Sequence, residues 1–428
     1  MIVFWYRRDL RTHDNTALLK AIKTGEKVLP IFIFDKNILD ELPKDDARVT
    51  FIASLLEDIN RELKKHGSSL AVFHSTPEII FAQLLKENDV TSVYTNHDYE
   101  PYARKRDEEI RELLQDKGVE FKTFKDQVIF EKDEILKDNG EPYVVYTPYS
   151  KRWLVKFGAD KPEVHNTVIH KENLVTHNYP FLSVEDIGFK ASDITPKPYN
   201  VSSGLINDYE GTRNFPANEA GTSHLSPYLR FGAISIRELV VKGYESKNIT
   251  FLKELIWREF FMQILWHYPH TVTKAFKPQY DNIKWRDNED DFAAWCQGKT
   301  GYPMVDAGMR QLNATGIMHN RVRMVVASFL CKHLLLDWRK GEAYFALKLL
   351  DYEQSSNVGN WQWAAGTGVD AAPYFRVFNP TEQVKKFDAD LKYIRKWVPE
   401  FEDLDYTPMV EHKEARERAL RMYKEGLS

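Results

Sequence analysis

The sequence predicts an α/β domain in its N-terminal part, a parallel sheet flanked by helices, followed by an all-helical C-terminal domain. Short runs of β-branched and aromatic residues alternate with amphipathic stretches up to about residue 130. Scattered Pro and Gly without a sustained period come next, and long helical patterns begin after about residue 199. We therefore expect an α/β domain at 1–130, an inter-domain linker at 131–198 and a helical domain at 199–428.

Four short apolar runs in the N-terminal part predict buried strands. They lie at 2–6, 28–34, 70–75 and 92–96. Helical stretches separate them, among them 48–66 and 102–117. This alternation predicts a parallel sheet that binds ligands at its strand ends. No GxGxxG follows the first run, so we do not expect a standard dinucleotide site there.

Four charged residues directly follow the first predicted strand, in the segment WYRRDLRTHDN. They are Arg7, Arg8, Asp9 and Arg11. Either a ligand site or a structural cluster of ion pairs would explain them, and we favour the structural interpretation. Residues 131–198 show no periodic pattern, which is typical of a long connection over the surface.

Composition and charge limit the classes of function. At 428 residues, the chain is long enough for two domains that each have a core. The net charge of −4 argues against a protein that coats nucleic acid by bulk charge, so DNA binding would need a local basic patch. Cys296 and Cys331 predict neither a disulfide framework nor a metal site, which fits a reducing cytoplasm. The apolar run at 2–6 is too short to cross a membrane.

One predicted helix, at 251–268, carries an unusual face. Glu254, Trp257, Arg258 and Phe261 are spaced i, i+3, i+4 and i+7, so they share one side of the helix. A face that mixes Glu, Trp and Arg is a poor core stripe. It would either be solvated or line a site, and an indole among charges favours the site.

A second predicted helix, at 317–335, repeats this arrangement. Asn320, Arg323 and Met324 share one face of it. Two helices of this kind could form opposite walls of one pocket.

The segment TSHLSPYLRFG, at 222–232, is predicted to be a loop that enters a helix. The hydroxyls of Thr222, Ser223 and Ser226, together with backbone N–H groups at a helix start, suit a pyrophosphate. Ordinary N-capping by Thr or Ser is the alternative, and on these residues alone it is the better interpretation.

The stretch 351–380 lacks the apolar spacing of a core helix. Trp361 and Trp363 lie in it close to the carboxylates Asp351 and Glu353. It also contains small residues that allow a flat partner to approach the backbone, namely Ala364, Ala365, Gly366 and Gly368. Stacking rings, amides and carboxylates together indicate a buried, polar aromatic cofactor.

These motifs, in this order and over nearly the whole chain, resemble the photolyase/cryptochrome family, and most closely its class I cyclobutane pyrimidine dimer (CPD) photolyases. The resemblance implies a carbon–carbon lyase that repairs CPDs with light, by electron transfer from photoexcited reduced FAD to a flipped-out lesion. The implied partner is UV-damaged DNA, double- or single-stranded, bound by a cytoplasmic monomer with no membrane association. A (6-4) photolyase and a non-repairing cryptochrome remain the alternatives.

The resemblance also assigns cofactor contacts. Asn357 matches the residue opposite flavin N5, where its uncharged amide favours the reduced forms of the flavin. The implied FAD-binding residues are Tyr209, Thr222, Ser223, His224, Leu225, Ser226, Phe251, Glu254, Arg258, Asn320, Arg323, Asp351, Glu353 and Asn357. Glu353 replaces a more usual Asp and Ser356 a more usual Ala, and we expect flavin binding to survive both changes.

The lesion pocket and an electron relay follow in the same way. Trp257 and Trp363 would stack the dimer, and Glu254, in its protonated form, would hydrogen-bond the pyrimidine edge. The implied DNA-contacting residues are Arg213, Glu254, Trp257, Arg258, Asn320, Arg321, Met324 and Trp363. Trp361, Trp338 and Trp285 match the family's tryptophan relay from flavin to surface.

Two further expectations concern the antenna and the C-terminal part. The segment YEPYARKRD resembles a stretch that contacts a light-harvesting reduced folate, such as methenyltetrahydrofolate, with Glu100 as the matching carboxylate. The segment 398–410 is shorter than in class I relatives, so some contacts there would be lost.

Overall fold

The computed structural model describes residues 1–402 and 407–428. Part of the shortened segment 398–410 therefore lies outside the described residues. Contacts between Cα atoms divide the chain into two compact units. The first comprises 1–134, 154–197 and 225–244, and the second comprises 135–153, 198–224 and 245–428. The predicted limits, 1–130, 131–198 and 199–428, stay a prediction.

The first unit contains a parallel five-stranded sheet, which confirms the predicted α/β class. The strands are β1 (Ile2–Tyr6), β2 (Val28–Asp35), β3 (Ala71–Ser75), β4 (Ser92–Asn96) and β5 (Glu120–Phe124), in the order β3-β2-β1-β4-β5. β5 was not predicted. It is an edge strand with the sequence EFKTF, only half-buried, so it lacks the continuous apolar run of a central strand.

Helices occur in both units, and most of the second unit is helical, as predicted. In chain order they are α1 (Thr16–Ile22), α2 (Lys36–Leu39), α3 (Ala47–Lys65), α4 (Pro77–Glu87), α5 (Pro101–Gln115), α6 (Tyr146–Ala159), α7 (Ser203–Thr212), α8 (Ser226–Arg230), α9 (Ile236–Tyr244), α10 (Thr250–His267), α11 (Glu289–Gln297), α12 (Pro303–Thr315), α13 (Asn320–Ser328), α14 (Trp338–Lys348), α15 (Gln354–Ala365), α16 (Pro380–Phe387), α17 (Lys392–Trp397) and α18 (His412–Leu427).

Part of the predicted linker belongs to a core rather than to the surface. Ile169, Leu174, Val184, Ile187 and Phe189 are buried with the strand residues of the first unit. The expectation that 131–198 lies over the surface was therefore wrong for these residues. Their apolar side chains follow no helical or strand period, so the sequence pattern does not reveal their burial.

The stretch 351–380 contains a buried helix, which contradicts the expectation of no core helix there. α15 buries Val358, Trp361 and Ala365. Much of its packing face is made of small residues. A Cβ atom at Gly359 would lie only 2.2 Å from Phe261 of α10, so glycine is required for this approach. In α15, close backbone contact takes the place of large apolar side chains, so the sequence does not show the apolar spacing of a core helix.

The helix predicted at 317–335 has two parts. α13 begins at Asn320, where the His319 side chain accepts a hydrogen bond from the backbone N–H of Arg321 at 3.2 Å. A short π-helical turn, Phe329–His333, follows it. The helix predicted at 251–268 is confirmed as α10.

Candidate functional site

The mixed face of α10 meets charged residues at the start of α15. The Nη2 atom of Arg258 donates to Oε1 of Glu353 at 3.0 Å, and both side chains are largely buried. The hydroxyl of Ser356 donates to the second oxygen of Glu353, also at 3.0 Å. Two predicted flavin contacts, Arg258 and Glu353, are thus brought together.

Arg213, expected to face DNA, forms an ion pair with Glu254. Its guanidinium also lies 5.5 Å from the ring centre of Tyr209, whose ring meets Phe251 edge-on at 5.5 Å. The sequence assigned Tyr209, Phe251 and Glu254 to FAD, and Arg213 and Glu254 to DNA. The structure places all four residues in one cluster. The expectation that Glu254 acts in its protonated form stays a prediction.

Tyr146 is a site residue that sequence reasoning missed. Its ring lies flat on the indole of Trp257, with 3.6 Å between centroids and 5° between planes. Its hydroxyl donates to the backbone oxygen of Lys253 at 2.8 Å. Burial raises the pKa of Tyr146, so the phenol stays protonated. The segment YVVYTPYSKRWL carries no pattern that marks this tyrosine.

α13 carries the second group of predicted site residues, Asn320, Arg323 and Met324. Nη2 of Arg323 donates to Oδ2 of Asp351 at 2.8 Å. The other carboxylate oxygen, Oδ1, is buried and has no hydrogen-bond partner within 1–402 and 407–428. Asn320 is exposed and Met324 is half-buried on the same face.

His319 directly precedes these residues and is the N-cap of α13. Burial, together with the nearby Arg323, Arg321 and Arg213, lowers its pKa to about 4. The imidazole is therefore neutral near pH 7.

Asn357 has a fixed orientation. Its Nδ2 atom donates to Oε1 of Glu342 at 2.9 Å and to the backbone oxygen of Glu342 at 3.1 Å. Both amide hydrogens are therefore used on one side, and the amide carbonyl is left for another partner. Burial raises the pKa of Glu342. Sequence reasoning found Asn357 but not Glu342.

The three tryptophans of the predicted relay all lie in the second unit. Trp361 and Trp338 are buried, and Trp285 is half-buried, with Tyr423 packed edge-on at 5.8 Å. Trp361 also touches Trp295 edge-on, with ring centres 6.1 Å apart. Trp295 was not predicted to have any role. Whether the relay conducts electrons stays a prediction.

The hydroxyl-rich segment is divided between the units. Thr222, Ser223 and His224 belong to the second unit, and Leu225 and Ser226 to the first. His224 has a positive φ of 52°, in the left-handed region. The phosphate-binding assignment of this segment stays a prediction.

The charged residues after β1 form ion pairs within the first unit, which supports the structural interpretation. Arg7 pairs with Asp107, and Arg11 pairs with Asp126 at 2.7 Å. Burial raises the pKa of Asp126, but Arg11 and Arg237 outweigh it and lower the value to about 2.

The predicted antenna contact, Glu100, takes part in the same structural network. Nη1 of Arg8 lies 3.0 Å from its Oε1 atom, and Nη2 of Arg230 lies 3.8 Å from its Oε2 atom. A folate would have to share this carboxylate with two arginines.

The donor set of the second unit fits FAD. It offers a carbonyl from Asn357 and the Oδ1 atom of Asp351, which has no hydrogen-bond partner among the described residues, with the guanidinium of Arg323 beside it. Amide, carboxylate and guanidinium groups next to buried rings suit a ribose and a flavin edge. No group of three or more metal-ligating side chains occurs in the part of the chain that the structure describes. In the same part, no helix is long and apolar enough to cross a membrane.

Comparison with known proteins identifies two family models. One, described as the FAD binding domain of DNA photolyase, matches residues 251–407. The other, described as DNA photolyase, matches residues 2–166. The first match covers α13, α15 and nearly all of α10.

Individual relatives cover almost the whole chain. A deoxyribodipyrimidine photo-lyase of Agrobacterium fabrum is 38% identical over 99% of this chain and 97% of its own length. The structure of a bacterial class III photolyase from Agrobacterium tumefaciens is 35% identical and superposes with a TM-score of 0.88, covering 99% of this chain and 97% of the other.

An archaeal photolyase from Sulfolobus tokodaii, solved with two FAD molecules, is 34% identical with a TM-score of 0.85, covering 99% of each chain. The FAD assignment is supported by the matching domain, and the prediction of an enzyme of the photo-lyase type is confirmed. This chain belongs to the photolyase/cryptochrome family.

Proposed function

We propose that this protein splits cyclobutane pyrimidine dimers in UV-damaged DNA with light and FAD. The observation that carries the proposal is the coincidence of two findings. The FAD-binding domain model matches 251–407, and the polar contacts Arg258–Glu353, Arg323–Asp351 and Asn357–Glu342 all lie inside that range.

Several residues of the second unit would hold the cofactor. Asn357 would offer its carbonyl to flavin N5, and Asp351 would offer its Oδ1 atom to a hydroxyl. Arg258 is engaged by Glu353, which supports a cofactor role for it more than a phosphate contact with DNA. Reduced FAD, when bound and excited, supplies the electron that opens the four-membered ring.

The chain's own side chains would bind the lesion. A dimer taken out of the duplex needs stacking surfaces and polar contacts at its edges. Trp257 and Trp363 are half-buried, which suits two stacking walls, and Glu254 lies on the same helix as Trp257. Glu254 would hydrogen-bond the pyrimidine edge, and Asn320 and Met324 would line the pocket.

A local basic patch would contact the phosphates. Arg213, Arg321 and Arg376 lie close enough that Arg213 and Arg376 lower the pKa of Arg321, after burial. This clustering of cations supports DNA binding by a protein whose net charge is −4.

The relay of Trp361, Trp338 and Trp285 would re-reduce the flavin rather than take part in repair. We keep the reduced-folate antenna at Glu100, the assignment to class I, a monomeric state and a cytoplasmic location as parts of the same proposal. A (6-4) photolyase and a cryptochrome are the rivals.

Illumination of the reduced protein with CPD-containing DNA tests the proposal. Absorbance of the bases should recover in the light and not in a matched dark sample. Bound flavin with no recovery of the bases would favour the cryptochrome alternative.

A further inference from the structure

We propose that Tyr146 and Asp370 position the indole of Trp257 for lesion binding. This pair of residues is not part of the cofactor or relay assignments. The inference rests on the proposed function, because it treats Trp257 as a wall of the lesion pocket.

The ring of Tyr146 stacks flat on one face of the Trp257 indole. The centroids are 3.6 Å apart and the planes are within 5° of parallel. Trp257 also has Phe260 edge-on at 5.6 Å and Phe261 at 5.5 Å, with its ring inclined by 29° to the indole. A lesion base can therefore reach only the remaining face or the edge of the indole.

Tyr146 is itself held at both ends. Its hydroxyl donates to the backbone oxygen of Lys253 at 2.8 Å, one turn before Trp257 on α10. Its backbone N–H donates to Oδ2 of Asp370 at 3.2 Å. The residue is only 8% exposed, so the ring has little freedom to leave Trp257.

Asp370 links Tyr146 to the chain segment that follows Trp363, the second predicted stacking residue. It lies in the segment 366–379 between α15, which carries Trp363, and α16. Its φ of 44° lies in the left-handed region, which Asp adopts more readily than most residues with a side chain. Its side chain accepts the hydrogen bond from Tyr146. Through it, the segment that follows Trp363 is tied to the residue that stacks on Trp257.

The physical consequence is pre-organisation. An indole that already has one orientation loses less rotamer entropy when a base stacks on it. Tyr146 therefore acts on lesion affinity through Trp257 and is a positioning residue, not a catalytic one.

The test is the dark affinity for an oligonucleotide with one CPD, measured by fluorescence anisotropy. Tyr146→Ala should weaken it about fivefold to tenfold, as expected for loss of an aromatic pair. Tyr146→Phe keeps the ring and should stay within about twofold. Affinity for the undamaged oligonucleotide should not change. Tyr143→Ala is the matched control, because Tyr143 meets Tyr149 edge-on at 6.4 Å and is not among the residues that stack on Trp257.

A double-mutant cycle separates positioning from a general structural effect. In a Trp257→Ala background, Tyr146→Ala should cause no further loss. Additive losses, or equal losses for the Phe and Ala variants, would overturn the positioning role. An unchanged lesion affinity for Trp257→Ala alone would overturn the proposed lesion pocket and this inference together.

Asp370→Ala provides a second route that leaves the Tyr146 ring in place. It should weaken lesion affinity in the same direction and by a smaller factor, about threefold. If the thermal unfolding curve shows that Tyr146→Ala does not fold, the lesion affinity of Asp370→Ala is the test of the positioning role. Unchanged lesion affinity for a folded Asp370→Ala variant would contradict the role of that residue.

Discussion

The amide nitrogen of Asn357 donates to the carboxylate of Glu342 at 2.9 Å, which fixes the direction of the amide carbonyl. Glu342 therefore sets which atom of Asn357 a flavin would meet. Glu342→Ala leaves only the backbone oxygen at 3.1 Å as acceptor, so the amide should be held less firmly and the photoreduced flavin should reoxidise faster in air. Glu342→Gln still offers an oxygen acceptor and should behave more like the parent protein.

The measurement is the visible spectrum after partial illumination, followed in air. Thermal unfolding of each variant is the control for folding. Identical spectra and reoxidation rates for the parent and Glu342→Ala would contradict an orienting role for Glu342.

The relay prediction concerns Trp338. If electrons reach the flavin through Trp361, Trp338 and Trp285, Trp338→Phe should severely slow photoreduction of oxidised FAD. Repair by enzyme that is reduced beforehand should be nearly unaffected, because that reaction does not need the relay. Trp295→Phe is the matched control, since Trp295 also contacts Trp361 but lies outside the predicted relay. Equal loss of photoreduction and repair would indicate a packing role instead.

Phosphate contacts predict a modest salt dependence of DNA binding. Each neutralised phosphate contributes about −0.9 to the slope of log affinity against log salt. We expect a slope equivalent to about two to four contacts, and Arg321→Gln should reduce it by about one contact. Lys105→Gln, an exposed change in the first unit, should leave the slope unaltered. Affinity for lesion DNA that does not depend on salt would rule out this patch.

Two buried histidines predict loss of stability in acid. Burial lowers the pKa of His319 to about 4 and that of His333 to about 3, whereas an unfolded histidine titrates near 6.5. Between these values the unfolded chain binds more protons. The contribution of these two histidines to the free energy of unfolding is therefore fully present above about pH 6.5. It falls as the pH drops towards 4, by up to about 1.4 kcal/mol per pH unit for each group.

Urea unfolding at about pH 7 and about pH 5 measures this effect. His319→Asn keeps an N-cap side chain for α13 and should reduce the pH dependence. Val155→Ala, at an exposed position with no titratable group, should not. A pH dependence equal in all three proteins would show that His319 does not contribute.

Particular residues explain how far the sequence could predict the structure. The strand β1 was found because five consecutive buried residues form an apolar run. α15 was not recognised, because Gly359 and small neighbours replace the large apolar residues that mark a core helix.

The site was predicted in the same uneven way. Residues at helical spacing on α10 and α13 were found together, because residues three or four positions apart in a helix lie on the same face. Tyr146 and Glu342 reach the site from distant segments of the chain, and only folding brings them to Trp257 and Asn357.

Lesion specificity tests the proposed function most directly. Repair of a (6-4) lesion must move a hydroxyl group and needs a proton donor in the pocket, whereas splitting a cyclobutane ring does not. Asn320 and Met324 do not titrate near neutral pH, and the adjacent His319 is neutral because its pKa is about 4. Matched oligonucleotides carrying each lesion should be illuminated with the reduced enzyme and the products separated. We predict repair of the CPD alone; repair of the (6-4) lesion at a comparable rate, or of neither lesion, would contradict the proposed function.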